Sequence, residues 1–417
     1  MITLVKGFHD ILPDDGAKWS FVTESARSVL KRFGFREIVT PIMEKTELFV
    51  RGIGQVTDIV EKEMYTFEDL GGETLSLRPE ATAGILRSVV EHSLLKKESL
   101  LKLFTVGPMF RRERPSKGRY RQFFQLNAEV LGDDDPLTDS EVIACACSIL
   151  GAIGSSGLFV ELNSVGCKRC RAIYRGELTA FLQRHFENLC GDCQRRMQTN
   201  PMRSLDCKVA DCAQIMASAP MIVNFLDDPC KEHFDGVRRG LDILNIPYRL
   251  EPGMVRGLDY YSRTAFEIID NDLGHSKAVG GGGRYDSLLA ELGGPDVSGI
   301  GFAIGIERLL MSLKDEDDRF ARKVDLYVAA LGDQSREVCY RLTNALRNSG
   351  FSVETRYSSS SLKSHMKQAD RVGAGKTLMI GSDELSSNSV TVRDMFSKQQ
   401  VTVDIDNIIK FLRGDGV

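Results

Sequence analysis

A strongly basic segment held between two apolar ones constrains this chain more than any other feature. Residues Arg111 to Arg121 read RRERPSKGRYR, in which Arg111, Arg112, Arg114, Lys117, Arg119 and Arg121 oppose the single carboxylate of Glu113, a local charge of +5. The runs on either side, Leu103 to Phe110 and Phe123 to Val130, are rich in apolar and β-forming residues. Pro115 and Gly118 between them supply turn chemistry. The pattern predicts an antiparallel hairpin whose strands are buried and whose loop projects away from the core, because buried unpaired charge is strongly destabilising. A solvated tip accounts for three such charges. Six in eleven residues, mostly planar guanidinium groups, point to phosphate: a nucleotide, an RNA backbone, or both.

The rest of the chain places this hairpin in an α+β fold. Pro13 and Asp14 open a helix along which Val22, Ala26, Val29, Leu30 and Phe33 recur at three- and four-residue steps until Gly34. Phe35 to Val39 reads as a strand, and Pro41 behind it demands an edge or a chain-to-chain contact. Further strands are expected at Thr74 to Leu77, Phe159 to Ser164, Tyr260 to Ile269 and Gly299 to Ala303, with a helix over Thr138 to Ala152. The order lacks the regular alternation of a parallel sheet and predicts an antiparallel sheet with helices. Residues 167–250 turn helical, polar and rich in Arg and Cys, as an insertion within a first domain spanning 1–320. The charged run KDEDDRFARK, Lys314 to Lys323, is a linker candidate. Residues 324–417 then alternate strand and helix as a small α/β domain.

Whole-chain quantities exclude several classes. A length of 417 residues suggests two to three domains. Lys and Arg number 54 against 58 Asp and Glu, and the resulting −4 conceals the +5 loop. No apolar run approaches the roughly 18 to 20 residues of a membrane span, and MITLVKGFHDILPDD lacks a signal-peptide core. A cytoplasmic protein with no membrane partner is expected, its ten cysteines reduced. Cys167, Cys170, Cys190 and Cys193 form two CxxC pairs nineteen residues apart, a spacing compatible with one structural zinc. Their flanks are not those of zinc knuckles, and reduced buried cysteines explain the pairs equally well. Six dispersed histidines make a histidine-rich metal centre improbable. Gly373 to Thr377, GAGKT, fails as a phosphate-binding P-loop: Asp370 stands where the first glycine belongs, and a strand follows instead of a helix.

Five ordered stretches resemble the histidine-specific branch of the class II aminoacyl-tRNA synthetases. Phe110 to Glu113 with Gly118 to Phe123 and Gln125 to Glu129 resembles its motif 2, and Leu77 to Thr82, LRPEAT, its histidine-binding turn. Val255 to Tyr261, VRGLDYY, and Gly280 to Asp286, GGGGRYD, resemble its two signature peptides, and Gly299 to Leu309, GIGFAIGIERL, its motif 3. The match spans about residues 6 to 312, and the C-terminal part resembles the family's anticodon-binding domain more loosely. The resemblance implies ATP with Mg2+, L-histidine and tRNA(His) as ligands and a homodimer joined near the first helix and the strand before Pro41. It implies that Arg111 holds the α-phosphate and the amino-acid carboxylate, Arg119 and Arg308 the outer phosphates, and Glu113 the adenine amino group. Phe123 would stack on adenine, and Arg256 would add a cation beside the reacting carboxylate. These roles suit the chemistry, since carboxylate attack on the α-phosphorus builds negative charge that fixed cations stabilise.

Histidine recognition needs a carboxylate for the ammonium and partners for both ring nitrogens. Glu80, in Glu80-Ala81-Thr82, and Thr82 fit the first task; Gln125, Glu129, Tyr260 and Tyr261 fit the second. Two departures from the family pattern fall at the site: Ala81 replaces a usual glycine, and Ser116 a frequent glutamine in the motif 2 loop. The helix expected within Ser360 to Gly373, with an apolar stripe of Leu362, Met366 and Ala369 and with Lys363, Lys367 and Arg371 elsewhere, suits an RNA-facing surface or an ordinary one. Two rivals remain at this stage. A non-aminoacylating paralogue serving as a regulatory subunit in histidine biosynthesis would be expected to lack the C-terminal domain, and a pure RNA-binding protein leaves the ATP-type residues unexplained.

Overall fold

A computed structural model describes residues 1–54, 57, 59–116, 118–254, 260–271, 278–313, 320, 323–358 and 360–414. Two compact units emerge, Met1–Asp315 and Glu316–Val417. Of the linker candidate, only Phe320 and Lys323 fall among the described residues.

In chain order the strands of the first unit are β1 (Arg36–Glu37), β2 (Met43–Lys45), β3 (Tyr65–Glu68), β4 (Thr74–Leu77), β5 (Leu101–Phe110), β6 (Gln122–Leu131), β7 (Leu158–Ser164), β8 (Tyr248–Leu250), β9 (Ser262–Asp270), β10 (Ala278–Tyr285) and β11 (Gly299–Gly305). The main sheet runs β1-β5-β6-β11-β10-β9-β7-β8, and β2-β4-β3 form a smaller sheet. Its interior pairs are antiparallel, while β1 on β5 and β8 on β7 are parallel edges. The hairpin forms as expected, with β5 and β6 in unbroken register from Leu101↔Leu131 to Phe110↔Gln122.

Strand periodicity divides the sheet into two chemistries. On β6, Leu126, Ala128 and Val130 face a core shared with Ile300, Phe302 and Ile304 of β11. That core is closed by the helices Pro13–Arg32, Pro136–Ile153 and Asp228–Ile243, through residues such as Val29, Ile149 and Val237. Each such buried side chain contributes roughly 1.5–3 kcal/mol. Because successive side chains alternate, Phe123, Gln125 and Glu129 are presented to the opposite face.

Several expectations need correction. Phe35 to Val39 contributes only the two-residue β1, with Ile38 N–H donating to Phe104 O at 2.8 Å. Thr74 to Leu77 forms β4 as expected, and it pairs antiparallel within the small sheet. The four glycines Gly280 to Gly283 lie within β10, a strand that glycine content disguises; a Cβ on Gly282 would strike the Gly301 carbonyl, and irregular register flanks the run on the β9 side. Helix Pro136–Ile153 is long and apolar enough to cross a membrane by length and composition, contrary to the reading that no run approaches that size. Here it packs into the protein core through Val142, Ile143 and Ile149 and carries the buried Asp139.

Within the 167–250 segment, helices Lys168–Arg184, Gly191–Thr199 and Ala210–Met216 share a separate core of Tyr174, Leu178, Cys193 and Cys212. The Asp228–Ile243 helix and β8 pack instead on the main sheet. Cys167, Cys170, Cys190 and Cys193 do not form one site. Cys167 and Cys170 gather with Asp227 and Cys230, whereas Cys190 and Cys193 gather with Cys207 and Cys212. The 17-residue helix Lys168–Arg184 separates the pairs, and a rigid rod of that length spans about 25 Å.

The second unit builds β12 (Val324–Ala330), β13 (Val353–Thr355), β14 (Ala374–Ile380), β15 (Ser389–Asp394) and β16 (Gln400–Asp404) into the order β13-β12-β14-β15-β16. Gly373 to Thr377 leads into β14, as required if it is no P-loop. The helix Leu362–Arg371 buries His365 and Ala369 and exposes Lys363, Lys367 and Arg371. Leu362, one of the three residues of the apolar stripe, is 45% exposed at the helix's first turn.

One buried ionic cluster ties sheet to helices. Arg284 of β10 donates from Nε to Asp139 Oδ1 at 3.0 Å, and His233 Nε2 lies 2.9 Å from Asp139 Oδ2. Burial by itself pushes the Asp139 carboxyl up, but the His233 bond and the Arg284 charge outweigh it and hold it below 3.8. Its stabilisation is therefore complete above that ordinary value and is lost as pH falls through the lower folded value. Asp139→Ala removes the closest partner of a fully buried guanidinium and leaves it only Asp286 at 3.5 Å and the Asp133 carbonyl at 3.2 Å, and we expect a loss of about 3–5 kcal/mol. Trp19, the single tryptophan, packs on Phe124 in this unit; its fluorescence during urea unfolding measures the loss, and a change below about 1 kcal/mol contradicts the role given to this cluster.

Candidate active site

The polar face of the sheet opens into a cavity of about 690 Å3, within the range of small-molecule sites. Sheet register creates the space. Glu129 lies directly opposite Gly301, which lies opposite Gly283, which lies opposite Ala265. A Cβ on Gly301 would collide with the Glu129 carboxylate. Small residues beside one long acidic side chain thus leave a hollow floor.

The histidine-type residues converge at this floor. The turn after β4 aims Glu80 back at the start of helix Thr82–Glu91, where its carboxylate accepts from Thr82 N–H at 2.7 Å and Ala83 N–H at 2.8 Å. Burial raises the Glu80 pKa, opposed by those bonds and by the Arg111 charge. Ala81 is fully buried at the helix N-cap. Thr82 Oγ1 donates to Glu129 Oε1 at 2.7 Å, and Tyr285 Oη to Glu129 Oε2 at 2.5 Å. Burial pushes Glu129 up to about 8, the two bonds offsetting only part of the effect. A carboxyl poised near neutrality can accept from a ring N–H or donate to a ring nitrogen. Tyr260 stacks obliquely on Tyr261 at 4.8 Å and edge-on to Tyr285 at 5.8 Å. Burial raises the Tyr260 hydroxyl well above its ordinary value, so it stays protonated. Gln125 reaches the same cavity with a buried Oε1 that has no hydrogen-bond partner among the described residues.

The phosphate-type residues line the same cavity. Arg111 Nε donates to Pro79 O at 2.9 Å, and its guanidinium lies 5.3 Å from the Phe123 ring centroid, which orients both groups. Desolvation lowers the Arg111 pKa against the opposing charges of Glu63, Glu113 and Glu80, and a guanidinium remains charged under such shifts. The hairpin tip closes through reciprocal bonds between Ser116 and Arg119, with Gly118 at φ +73°. Arg119 lies 3.7 Å from Glu113, and Arg308 donates to Ala278 O. Arg121, at the base of the loop, donates its N–H to Gly7 O at 2.7 Å, tying the loop to the N-terminal segment.

The cavity therefore brings together Glu80, Thr82, Arg111, Glu113, Arg119, Phe123, Gln125, Glu129, Tyr260, Tyr261 and Arg308. Arg256 lies outside the described residues, as does Lys117. Sequence reasoning missed Tyr285 and Glu307, although each sits inside a quoted motif, GGGGRYD and GIGFAIGIERL. Glu307 accepts from Phe124 N–H at 2.9 Å, and burial pushes it up to about 7. It also missed Arg196, Arg203, Asp206 and Lys208, which reach the cavity wall from the helical insertion. Their only sequence trace was the basic texture of that segment.

Comparison with known proteins places the chain in a family. Residues 7–187 and 194–309 match the family model described as Histidyl-tRNA synthetase, and residues 325–415 the one described as Anticodon binding domain. The chain is 46% identical over 407 residues to the histidine–tRNA ligase of Halothermothrix orenii, covering 97% of each chain. It is 47% identical over 405 residues to that of Trichlorobacter lovleyi, covering 97% of this chain and 96% of the relative. The crystal structure of apo S. aureus histidyl-tRNA synthetase superposes with a TM-score of 0.84 at 36% identity, covering 99% of this chain and all of the other. A family model matched over most of the chain, and relatives aligned along nearly its whole length, establish that the chain belongs to the histidyl-tRNA synthetase family.

Proposed function

We propose that this cavity joins L-histidine to tRNA(His) in two steps, and the observation that carries the reading is the meeting of a hydrogen-bonded buried carboxyl with a row of arginines in one hollow. The ring of histidine lies on the sheet floor, read by Glu129, Gln125, Tyr260 and Tyr261. Its ammonium is held by Glu80 and Thr82. Its carboxylate oxygen attacks the α-phosphorus of ATP, the bond to the β-phosphate oxygen breaks, and pyrophosphate leaves.

Arg111 stabilises the charge that develops, Arg119 and Arg308 hold the outer phosphates, Glu113 accepts from the adenine amino group, and Phe123 stacks on the ring. Arg256 joins them on the strength of its sequence motif. Magnesium would accompany ATP and offset phosphate charge there, and Glu267 on the cavity wall would offer the kind of hard oxygen ligand it takes. In the second step a ribose hydroxyl of tRNA attacks the adenylate carbonyl and AMP departs. The unit 324–417 holds the anticodon, with Lys363, Lys367 and Arg371 as an exposed basic row. That anticodon-binding match and relatives aligned end to end weigh against the regulatory paralogue.

We further propose a cytoplasmic homodimer. Near the β1 edge, Val39, Ile42 and Met43 are 84%, 43% and 45% exposed, an apolar strip suited to a second copy.

Three outcomes test this reading. Histidine-dependent exchange of pyrophosphate into ATP should be robust, and Arg111→Ala should lower its kcat by roughly 10²–10³-fold; no exchange by folded wild-type protein would refute the function. Tyr285→Phe removes one donor to Glu129 and should raise the histidine KM about tenfold while leaving the ATP KM unchanged; a shift confined to ATP contradicts the ring-recognition role. Light scattering should give twice the 46.4 kDa of one chain, falling to one chain in Val39→Asp/Ile42→Asp; a wild-type monomer at micromolar concentration rejects the dimer.

A further inference from the structure

Two groups of metal-ligating side chains stand apart from the described cavity wall. Cys190, Cys193, Cys207 and Cys212 bring four sulfurs within 4.8 Å of one another; Cys167, Cys170 and Cys230 do the same with a carboxylate oxygen of Asp227. The Sγ atoms of Cys190 and Cys207 are 3.8 Å apart, and those of Cys167 and Cys170 are 3.6 Å apart. Thiolates bound at about 2.3 Å around a tetrahedral zinc stand about 3.8 Å from each other, whereas a disulfide closes to about 2.05 Å. All of these cysteines are free.

Local structure supports a built site in each case. Each CxxC wraps the first turn of a helix, Cys167 at the N-cap of Lys168–Arg184 and Cys190 at that of Gly191–Thr199, so both sulfurs of a pair point to one side. Backbone N–H groups donate to the sulfurs, from Cys190 to Cys212 Sγ at 3.1 Å and from Asp227 to Cys170 Sγ at 3.2 Å. Such bonds orient ligands and stabilise thiolate charge. Cys170, Cys193, Cys212 and Cys230 are at most 2% exposed.

We propose that the insertion binds two structural Zn2+ ions, one in the four-cysteine cluster and one in the cluster of three cysteines and Asp227. Each ion displaces the protons of its cysteine thiols on binding. The second site clamps the neck of the insertion, joining Cys167, three residues after β7, to the start of the Asp228–Ile243 helix. The first clamps the segment between Cys193 and Cys212, which carries Arg196, Arg203 and Lys208 to the cavity wall. Zinc thus holds both the root of the insertion and its basic edge.

Elemental analysis of the full chain, purified in reducing buffer without chelator, tests this directly. Two zinc equivalents per chain are expected, with Cys207→Ser and Cys230→Ser each losing one and the double variant losing both. Where a variant does not fold, cobalt titration of wild-type apoprotein replaces it: thiolate charge-transfer absorption should saturate at two equivalents. Less than half an equivalent in folded wild-type protein, a single equivalent lost by both variants, iron with acid-labile sulfide, or a mass deficit of two hydrogens per cysteine pair each overturns the proposal. Metal content is read without activity, so its failure leaves the function of the cavity standing.

Discussion

The structure turns on the alternation of β6. One set of its side chains completes an apolar core beneath three helices, and the other set, including Phe123, Gln125 and Glu129, faces an open hollow. A slip of one residue in the β5–β6 register would exchange these sets, placing a carboxylate against the helices and leucine in the cavity. The unbroken pairing of β5 with β6 fixes the register, and the glycines of β10 and β11 make the hollow possible. Recognition chemistry is therefore a by-product of how the sheet is buried.

Glu129 illustrates how such a site tunes itself. At 1% exposure an isolated carboxylate would be costly. Two hydroxyl donors, Thr82 and Tyr285, compensate in part and leave the group near neutrality. The sign of the linkage follows: an acid whose folded pKa is raised binds more protons folded than unfolded, so the empty site loses stability as pH climbs from 4.5 towards about 8.

Much of this was legible in the sequence, for identifiable reasons. The hairpin and its basic loop were readable because apolar runs, a charge cluster and turn residues agreed locally. Glu80 and Thr82 in the turn after β4, and Arg308 in the last motif, lay in short contiguous stretches that the fold brings to one cavity. Where legibility ended, the information was non-local or masked. The strand character of Gly280 to Gly283 was hidden by glycine, whose use there is set by β11 and Tyr261 packed alongside. The pairing of the cysteines depended on a helix between them that spacing alone does not measure. The arginines the insertion sends to the cavity had no periodic pattern to betray them.

The account rests on the proposed reading of the imidazole ring by Glu129, and calorimetry with two ligands tests that most directly. Wild-type protein should bind L-histidine and reject L-phenylalanine by roughly 10⁴-fold, because the aromatic analogue leaves buried polar groups unpaired. Glu129→Gln, which keeps the shape of the side chain and changes its hydrogen-bonding capacity, should lose at least about a hundredfold of that discrimination, equivalent to about 2.7 kcal/mol. Discrimination equal to that of the wild type in this variant would contradict the account.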